Sequence, residues 1–366
     1  MPFSPQKRAG TFNGILFVAI FAAAATMISD LSVIKSLGIS PLVVGIVLGI
    51  FYANTLHNKF PAAWESGITF SGKKILRFAI VFYGFRITFQ QIAEVGMQGF
   101  MVSLLVLSST MIIGIWLGTK VFKMDRDTSI LTASGASVCG AAAVLATEPV
   151  LKAEEHKAAI AVSMVVLFGT ISMFLYPVLY ATLIEPATGF FHMSPSTFGM
   201  YVGGTIHEVA QVVAVPASVP GADEAMANTA VIVKMTRVIM IAPMLIILGL
   251  VLGMIAKKSG GEASKMQLVV PWFAVYFIGM AGVNSLIHTY TLTAPEELAT
   301  IIKGVIDNIN IIDTFLLTMA MTALGMGTRF AKFKGLGLAP LYTAGSMFIW
   351  LVVGGFVITK WVVSTF

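Results

Sequence analysis

A polar string, His-Glu-Val-Ala-Gln from His207 to Gln211, interrupts an otherwise apolar stretch of the sequence. A charge at a helix centre in a bilayer costs roughly 2.5 to 3.5 kcal/mol or more, so such residues are first interpreted as functional. Glu208 is a candidate carrier of a coupling proton, and His207 is a second, because imidazole titrates near neutral pH. Hydrogen bonding to neighbouring helices is the alternative. The spacing resembles a zinc-protease signature, but Gln211 replaces an essential His, which argues against a metal site.

Two segments rich in small residues, 128–150 and 196–216, contain glycines that would break a helix, and residues 135–146 align with residues 203–214. A broken helix inside a membrane exposes backbone N–H groups and a positive dipole end, which attract an anion. Ser137 and Thr205 occupy matching positions and can add hydroxyl donors. The segments therefore predict an anion site, with close helix packing as the alternative. Whether each segment spans the membrane or re-enters it is left open.

Two cations lie three residues apart, Lys234 and Arg237, and share one helix face. They can complete a basic pocket for a dianion, pair with Glu208, or extend to the membrane interface. Asn54 and Asn284 occupy equivalent positions in an internal repeat. Their amides can bind a substrate or ion, or join helices.

Further polar residues at membrane depth have less specific interpretations. Arg86 can reach the membrane interface or take part in a site, because Glu94 marks a helix end two turns away. The start of the predicted tenth span carries four polar residues, and helix capping or a loop at the water boundary explains them. They are Asp307, Asn308, Asn310 and Asp313.

The elements that must position these residues are apolar helices. Of the 366 residues, 57% are hydrophobic and only 11% are charged, whereas soluble domains carry roughly 25% charged residues. The fold class predicted is an all-α polytopic membrane protein, a single domain over residues 1–366 with about eleven transmembrane segments. The predicted spans are 8–30, 35–57, 74–93, 94–120, 127–148, 157–185, 195–216, 229–256, 265–295, 305–327 and 335–360.

An internal repeat relates residues 40–122 to residues 270–362. Its first part aligns Pro41 with Pro271 and Asn54 with Asn284. Its second part aligns the end of the third span with the end of the tenth, pairing Gly84 with Gly325 and Phe89 with Phe330. The paired helices would run in opposite directions, which is typical of inverted repeats in transporters.

Several classes of protein are disfavoured by the same sequence. A single cysteine, Cys139, excludes a disulfide framework within the monomer and a multi-cysteine metal site. No phosphate-binding or dinucleotide glycine motif is present, so ATP-driven transport is disfavoured and no cofactor is predicted. The net charge of +6 does not indicate nucleic acid, because Lys and Arg cluster in short loops as they do on the cytoplasmic side of membrane proteins.

Four strings resemble the YeiH-type sulfate exporter family of bacterial inner-membrane proteins. They are Ser-Gly-Ala-Ser-Val-Cys-Gly at 134–140, Tyr-Val-Gly-Gly-Thr-Ile-His-Glu-Val-Ala-Gln at 201–211, Lys-Met-Thr-Arg-Val at 234–238 and Gly-Phe-Arg-Ile-Thr-Phe from Gly84. The resemblance covers nearly the whole chain and implies a multi-pass secondary transporter with a sulfate-like oxyanion as substrate. It also supports site roles for the matching positions. The candidate substrate-binding residues are then Ser137, Cys139, Gly140, Gly204, Thr205, His207, Gln211, Lys234, Arg237, Asn54 and Asn284.

The sequence therefore predicts a secondary active transporter in the bacterial inner membrane, which moves a small sulfur oxyanion, with proton-coupled export as one form. A cation/proton antiporter using Glu208 and the asparagines is an alternative. A membrane-embedded enzyme centred on Cys139 or His207 and a channel are further alternatives, although the prediction is that the chain is not an enzyme. The predicted partners are a small anion and the lipid bilayer, not nucleic acid, and a homodimer is left open.

Overall fold

The structure, a computed structural model, describes residues 4, 7–32, 34, 40–56, 59–258, 272–333 and 337–366. Within these residues the regular structure is helical and contains no strand. Six helices in the described ranges are long and apolar enough to cross a membrane, which confirms the all-α membrane fold. The span bounds predicted at 35, 57, 265 and 335, and the repeat position Pro271, lie outside the described residues.

The α-helices of the described residues are numbered along the chain. They are α1 Arg8–Ser29, α2 Pro41–Thr55, α3 Glu65–Phe70, α4 Leu76–Tyr83, α5 Phe89–Trp116, α6 Arg126–Ser137, α7 Ala141–Leu151, α8 Glu155–Leu179, α9 Pro195–Thr205, α10 Val209–Ala214, α11 Glu224–Ile239, α12 Ile241–Lys258, α13 Trp272–Thr291, α14 Glu296–Gly327 and α15 Leu338–Thr365. A π-helical turn, Ser71–Ile75, joins α3 to α4, and another, Leu117–Val121, extends α5.

The six long apolar stretches are fewer than the eleven predicted spans. They are Arg8–Ser29, Phe89–Val121, His156–Ile184, Glu224–Met254, Glu296–Gly327 and Leu338–Thr365. Shorter apolar helices add Pro41–Thr55, Ala141–Leu151 and Val209–Ser218. Because short and broken helices also contribute to such folds, the count of eleven spans stays a prediction.

Two predicted helix boundaries are wrong. The sequence predicts the third span over residues 74–93, but in the structure its helix begins at Glu65 and ends before the 3₁₀ turn Gly84–Arg86. Ile87 is extended (φ −122°, ψ 140°), and α5 starts at Phe89. Lys73 and Lys74, at the predicted boundary, are exposed inside the helix, so they mark a solvated side rather than an end.

The tenth span also starts earlier than predicted. Helix α14 begins at Glu296, not near residue 305, and its first turn carries Glu296 and Glu297, which favour a helix N-terminus. The polar group at 307–313 therefore lies well inside the helix and caps nothing. Asp313 is buried there, with 1% of its surface exposed.

Contacts divide the chain into two units that are interleaved in sequence. The first unit comprises Met1–Glu94, Val213–Glu224 and Trp272–Ala331, and the second comprises Val95–Val212, Ala225–Pro271 and Lys332–Phe366. The chain leaves the first unit inside α5, next to Gly96, whose φ of 30° interrupts helical geometry. A backbone with positive φ favours glycine, which explains the residue type at this kink.

Within the first unit, α2 and α14 pack closely through glycine. A Cβ placed on Gly49 would lie 2.9 Å from the Cα of Gly325. Small residues at helix crossings allow this approach and the dispersion contacts that hold helices together in lipid. Gly45 lies at the same crossing, because a Cβ on Gly45 would lie 2.6 Å from Thr322 Oγ1.

The two asparagines of the predicted repeat make matching hydrogen bonds in the first unit. Asn54 Nδ2 donates to the Thr328 carbonyl at 3.0 Å, and Asn284 Nδ2 donates to the Ile87 carbonyl at 3.1 Å. In the alignment of Gly84 with Gly325, Ile87 is the counterpart of Thr328. Each asparagine thus holds the turn that follows a helix of the other half. The repeat stays a prediction, and these paired contacts support it.

In the second unit, Asp125 caps the N-terminus of α6. Its carboxylate accepts from the Thr128 N–H at 3.1 Å and lies 3.1 Å from Lys157 Nζ. Partial burial raises the pKa of Asp125, but the hydrogen bonds from Thr128 and Lys157 outweigh it and hold the pKa below its usual value. Such a cap fixes where α6 begins, and with it the position of the helix end eleven residues on.

Candidate functional site

Both predicted helix breaks are present, and their residues belong to the second unit. Helix α6 ends at Ser137 and α7 begins at Ala141, while α9 ends at Thr205 and α10 begins at Val209. Gly140 adopts φ 77° and ψ −136°, a conformation that side chains rarely tolerate. Residues 128–137 and 197–205 are buried along their length. The last carbonyls of α6 and α9 therefore need partners from within the protein.

Lys234 supplies three of those partners. The side chain has 0% of its surface exposed, and Nζ donates to the carbonyl oxygens of Val138 (2.9 Å), Ile206 (2.7 Å) and His207 (2.6 Å). An ammonium group has three donors, so each donor is in use. Val138 and Ile206 occupy matched positions in the two aligned segments. One cation therefore holds equivalent carbonyls at both breaks.

Arg237 bridges the same two breaks one turn further along α11. It too has 0% of its surface exposed. Nη1 donates to the Gly204 carbonyl at 2.6 Å, and Nη2 donates to the Ser137 carbonyl. Longer contacts reach Gly203 at 3.5 Å and Ala136 at 3.3 Å. The guanidinium fork suits this task because its donors diverge in one plane.

The backbone offsets part of the positive charge at the junction. Each helix C-terminus carries roughly half a negative charge, so the ends of α6 and α9 together offset about one of the two cations. The interpretation that Lys234 and Arg237 extend to the membrane interface is wrong, because both are fully buried on carbonyl oxygens. Their role as substrate ligands stays a prediction. In this structure the three N–H donors of Lys234 are in use, so this side chain could act on an anion only through its positive charge.

The two candidate hydroxyls differ in availability. Thr205 Oγ1 donates to the Tyr201 carbonyl at 2.5 Å and accepts from Tyr176 Oη at 2.9 Å. Its proton is committed to its own helix. Ser137 Oγ has only a 3.3 Å contact with the Ser134 carbonyl and a 3.7 Å contact with Met111 Sδ. Ser137 is therefore the hydroxyl that can turn towards a ligand at low cost.

Glu208 lies beside the start of α7. A Cβ placed on Gly140 would lie 2.6 Å from Glu208 Cγ and 3.2 Å from its Oε1. Gly140 is the N-cap residue of α7, so the half-buried carboxylate lies next to the positive end of that helix. Cys139, whose thiol is buried, immediately precedes this position. The glycine thus provides room for Glu208 as well as the positive φ.

Gly140→Ala is expected to destabilise the protein by about 1–3 kcal/mol from the strained backbone conformation alone, and to displace the Glu208 carboxylate as well. Thermal unfolding of the purified protein measures the effect. Gly279→Ala is the matched control, because no atom lies within 4 Å of a Cβ at that helical position. Adding Glu208→Ala should recover part of the loss by removing the crowded Cγ. Equal effects of the two glycine substitutions would contradict this account of the junction.

Two buried nitrogens at the second break have no hydrogen-bond partner within the described ranges. They are His207 Nδ1 and Gln211 Nε2. Gln211 Oε1 accepts from the Glu208 N–H at 3.1 Å, which fixes the amide so that Nε2 is left as a donor. An amide nitrogen can only donate, and an imidazole nitrogen can do either according to its tautomer. These atoms suit an oxyanion better than a metal cation.

Three further residues of this site are not among the predicted site residues. Gly169 of α8 packs against the Gln211 side chain, since a Cβ placed on Gly169 would lie 2.5 Å from Gln211 Nε2. Tyr176 and Tyr201 stack with their ring centroids 4.9 Å apart, and Tyr176 holds Thr205. A tyrosine hydroxyl within an apolar helix was the one available indication for Tyr176. Gly169 resembles any packing glycine.

The remaining candidates, Asn54 and Asn284, belong to the first unit. Their amide nitrogens are directed at the Thr328 and Ile87 carbonyls, and Asn54 Oδ1 accepts from the Phe330 N–H at 2.9 Å. These contacts assign the two amides to the framework of the first unit. A substrate-binding role for them stays a prediction.

Comparison with known proteins places the sequence among bacterial membrane proteins. Residues 13–344 match the sequence model of a family described as Conserved hypothetical protein 698. A UPF0324 membrane protein of Pseudomonas putida is 46% identical over 350 residues, covering 96% of this chain and 93% of the relative. A UPF0324 membrane protein of Bacteroides thetaiotaomicron is 43% identical over 354 residues, covering 95% and 98%. The UPF0324 inner membrane protein YeiH of Salmonella typhimurium is 43% identical over 343 residues, covering 93% and 91%.

Proposed function

The chain belongs to the family described as Conserved hypothetical protein 698, a multi-pass inner-membrane family with YeiH among its relatives, and from that premise we propose that it is a secondary transporter of a small sulfur oxyanion such as sulfate. In this proposal the protein is a carrier that couples the anion to a proton, and it is not an enzyme. The observation that carries the proposal is the pair of helix breaks held by two buried cations.

Irregular backbone at membrane depth is tolerated only where protein buries it or where it lines a cavity, and in carriers such breaks form the substrate site. Here α6–α7 and α9–α10 break at matched positions, and Lys234 and Arg237 hold both. The two cations exceed the dipole charge of the two helix ends by about one unit. The surplus is what makes an anion, rather than a cation, the favoured ligand.

The groups left to touch the anion are few and chemically suitable. They are the backbone N–H groups at the start of α7, the Ser137 hydroxyl, Gln211 Nε2 and His207 Nδ1. A helix N-terminus and neutral donors bind oxyanions without requiring a further buried charge. Lys234 and Arg237 contribute through their field. Burial would strengthen that field relative to water.

Glu208 is the proposed coupling group because it shares the start of α7 with the anion. While ionised, its carboxylate offsets the surplus positive charge at the junction and competes for the same N–H groups. A proton on Glu208 removes that competitor and restores the surplus. Protonation and anion binding are thereby linked, and each favours the other.

The test is uptake of radiolabelled sulfate into proteoliposomes, with and without an imposed pH gradient. Saturable flux that responds to the gradient is expected. Gln211→Leu should reduce it at least about tenfold, since a buried donor matched to an oxyanion is worth 1.4 kcal/mol or more. Gln90→Leu, which removes an exposed amide from α5, should leave the flux unchanged.

The outcomes separate the alternatives. Sodium-dependent flux or stabilisation by sodium instead of sulfate would favour a cation/proton antiporter. Conductance far above carrier turnover would favour a channel. A Cys139→Ala variant that keeps full activity would remove the enzyme alternative that uses the thiol. Absence of flux for sulfate and related sulfonates in folded protein would overturn the proposed substrate class.

A further inference from the structure

A second buried ionic group lies in the first unit, distant in sequence from the helix breaks. Asp313 has 1% of its surface exposed and is the eighteenth of the 32 residues of α14. The helix is long enough to cross the hydrocarbon of a bilayer, so this position falls near its middle. Ionisable groups at such depth are rare and expensive, and they need a physical account.

The nearest cation does not fully satisfy Asp313. Arg86 Nη2 lies 3.5 Å from Asp313 Oδ2, while the same nitrogen donates to the Asn310 carbonyl and to Thr314 Oγ1, each at 2.7 Å. Arg86 also lies over the ring of Tyr83, 5.1 Å from the centroid. The guanidinium is therefore held by α14 and by an aromatic face, and its contact with the carboxylate is an ion pair at 3.5 Å.

Three acceptor atoms of Asp313 and Asn310 are buried and have no hydrogen-bond donor within the described ranges. They are Asp313 Oδ1, Asp313 Oδ2 and Asn310 Oδ1. Asn310 and Asp313 are three residues apart, so their side chains share one face of α14. Two oxygen atoms that can only accept hydrogen bonds cannot bond to each other. A proton on the carboxyl converts one of them into a donor for the other.

We propose that Asp313 and Asn310 form a proton-binding site in the first unit, with Arg86 as the counter-ion of its ionised form. In the ionised state the Asp313 carboxylate is paired with Arg86. In the protonated state the carboxyl O–H donates to Asn310 Oδ1, and Arg86 keeps its bonds to α14 and its place over Tyr83.

The surroundings restrict the ligand to a proton. Among the described residues, Arg86 from the 3₁₀ turn Gly84–Arg86 lies 3.5 Å from Asp313. Tyr83 from α4 lies beneath the Arg86 guanidinium and within electrostatic range of Asp313 and Glu224, and Asp307 on the same helix is exposed. A metal cation placed between Asp313 and Asn310 would meet the positive charge of Arg86 at short range. A proton adds no separate ion and leaves the arginine contacts unchanged.

Infrared difference spectroscopy between high and low pH tests the site on purified protein in lipid, without substrate. Protein labelled with ¹³C-aspartate should show the C=O band of a buried protonated carboxyl, displaced by the label. Asp313→Asn should remove the band completely. Asp307→Asn, on the same helix but exposed, should retain it.

Asn310→Leu provides a second readout in case Asp313→Asn fails to fold. It removes the acceptor and keeps the carboxyl, so the band should persist at a shifted frequency that reports a weaker hydrogen bond. The proposal is overturned if the wild type shows no aspartate carboxyl band at either pH, if the band survives in Asp313→Asn, or if Asn310→Leu leaves its frequency unchanged. None of these infrared measurements depends on transport, so their outcome is independent of the sulfate flux experiment.

Discussion

Lys234→Met is expected to lower the unfolding temperature of the purified protein by on the order of 10 °C. The substitution keeps most of the side-chain length but leaves three buried carbonyl oxygens, at both helix breaks, without their donor. Breaking a buried charged network in this way costs about 3–5 kcal/mol, against a total stability of about 5–15 kcal/mol. Thermal unfolding in lipid nanodiscs, followed by tryptophan fluorescence, measures the effect.

The control is Lys303→Met, which removes an exposed lysine from α14 and should be nearly neutral. Arg237→Met should be about as damaging as Lys234→Met, because it releases carbonyls at the same two helix ends. The double variant should cost more than the sum of the two, since either single substitution already relieves the repulsion between the cations and the double variant gains that relief only once. If Lys234→Met is no more damaging than the control, the cations do not hold the breaks.

The hydrogen-bond partners of these two cations are the part of the site that could not be predicted from the sequence. Residue types and spacing placed Lys234 and Arg237 on one helix face at membrane depth, and the anion pocket was a reasonable interpretation. Their partners are main-chain carbonyls of Val138, Ile206 and Gly204. Every residue has such a carbonyl, so no side-chain pattern identifies the ones that a broken helix leaves without a donor.

The breaks themselves were predictable. Positive φ at Gly140 and the small residues at 203–205 follow from the chemistry of glycine, and the alignment of the two segments matched positions that share the same two cations. Fold class was predictable for a similar reason, because a chain with so few charges cannot form a soluble surface.

Helix boundaries were less predictable where polar residues are buried by tertiary contact. Asp307 to Asp313 suggested a helix start, and α14 instead passes through them, because Arg86 from a distant turn accompanies Asp313 inside the unit. A related error occurred at residue 74, which was placed at the start of the third span, whereas Lys73 and Lys74 lie exposed on a helix that begins at Glu65. The mean hydropathy of a sequence segment does not show which residue from elsewhere in the chain contacts a polar side chain.

Glu208→Gln is expected to abolish sulfate flux driven by a pH gradient while preserving exchange of sulfate for sulfate. A carboxamide cannot take up a proton, so the link between protonation and anion binding is lost. The amide carries no charge to compete with the anion beside Gly140, so binding itself should survive. Proteoliposomes loaded with unlabelled sulfate measure exchange, and the same vesicles without internal sulfate measure gradient-driven uptake.

Glu148→Gln is the matched control, a half-buried glutamate in the last turn of α7, eight residues after Gly140. It should retain both activities. If Glu208→Gln loses exchange as well as gradient-driven uptake while remaining folded, the carboxylate has a binding or structural role and the proton is carried elsewhere. If it keeps full pH coupling, Glu208 is not the coupling group. In either case Asp313 becomes the leading candidate, because it is a deeply buried carboxylate whose oxygens lack a donor within the described residues.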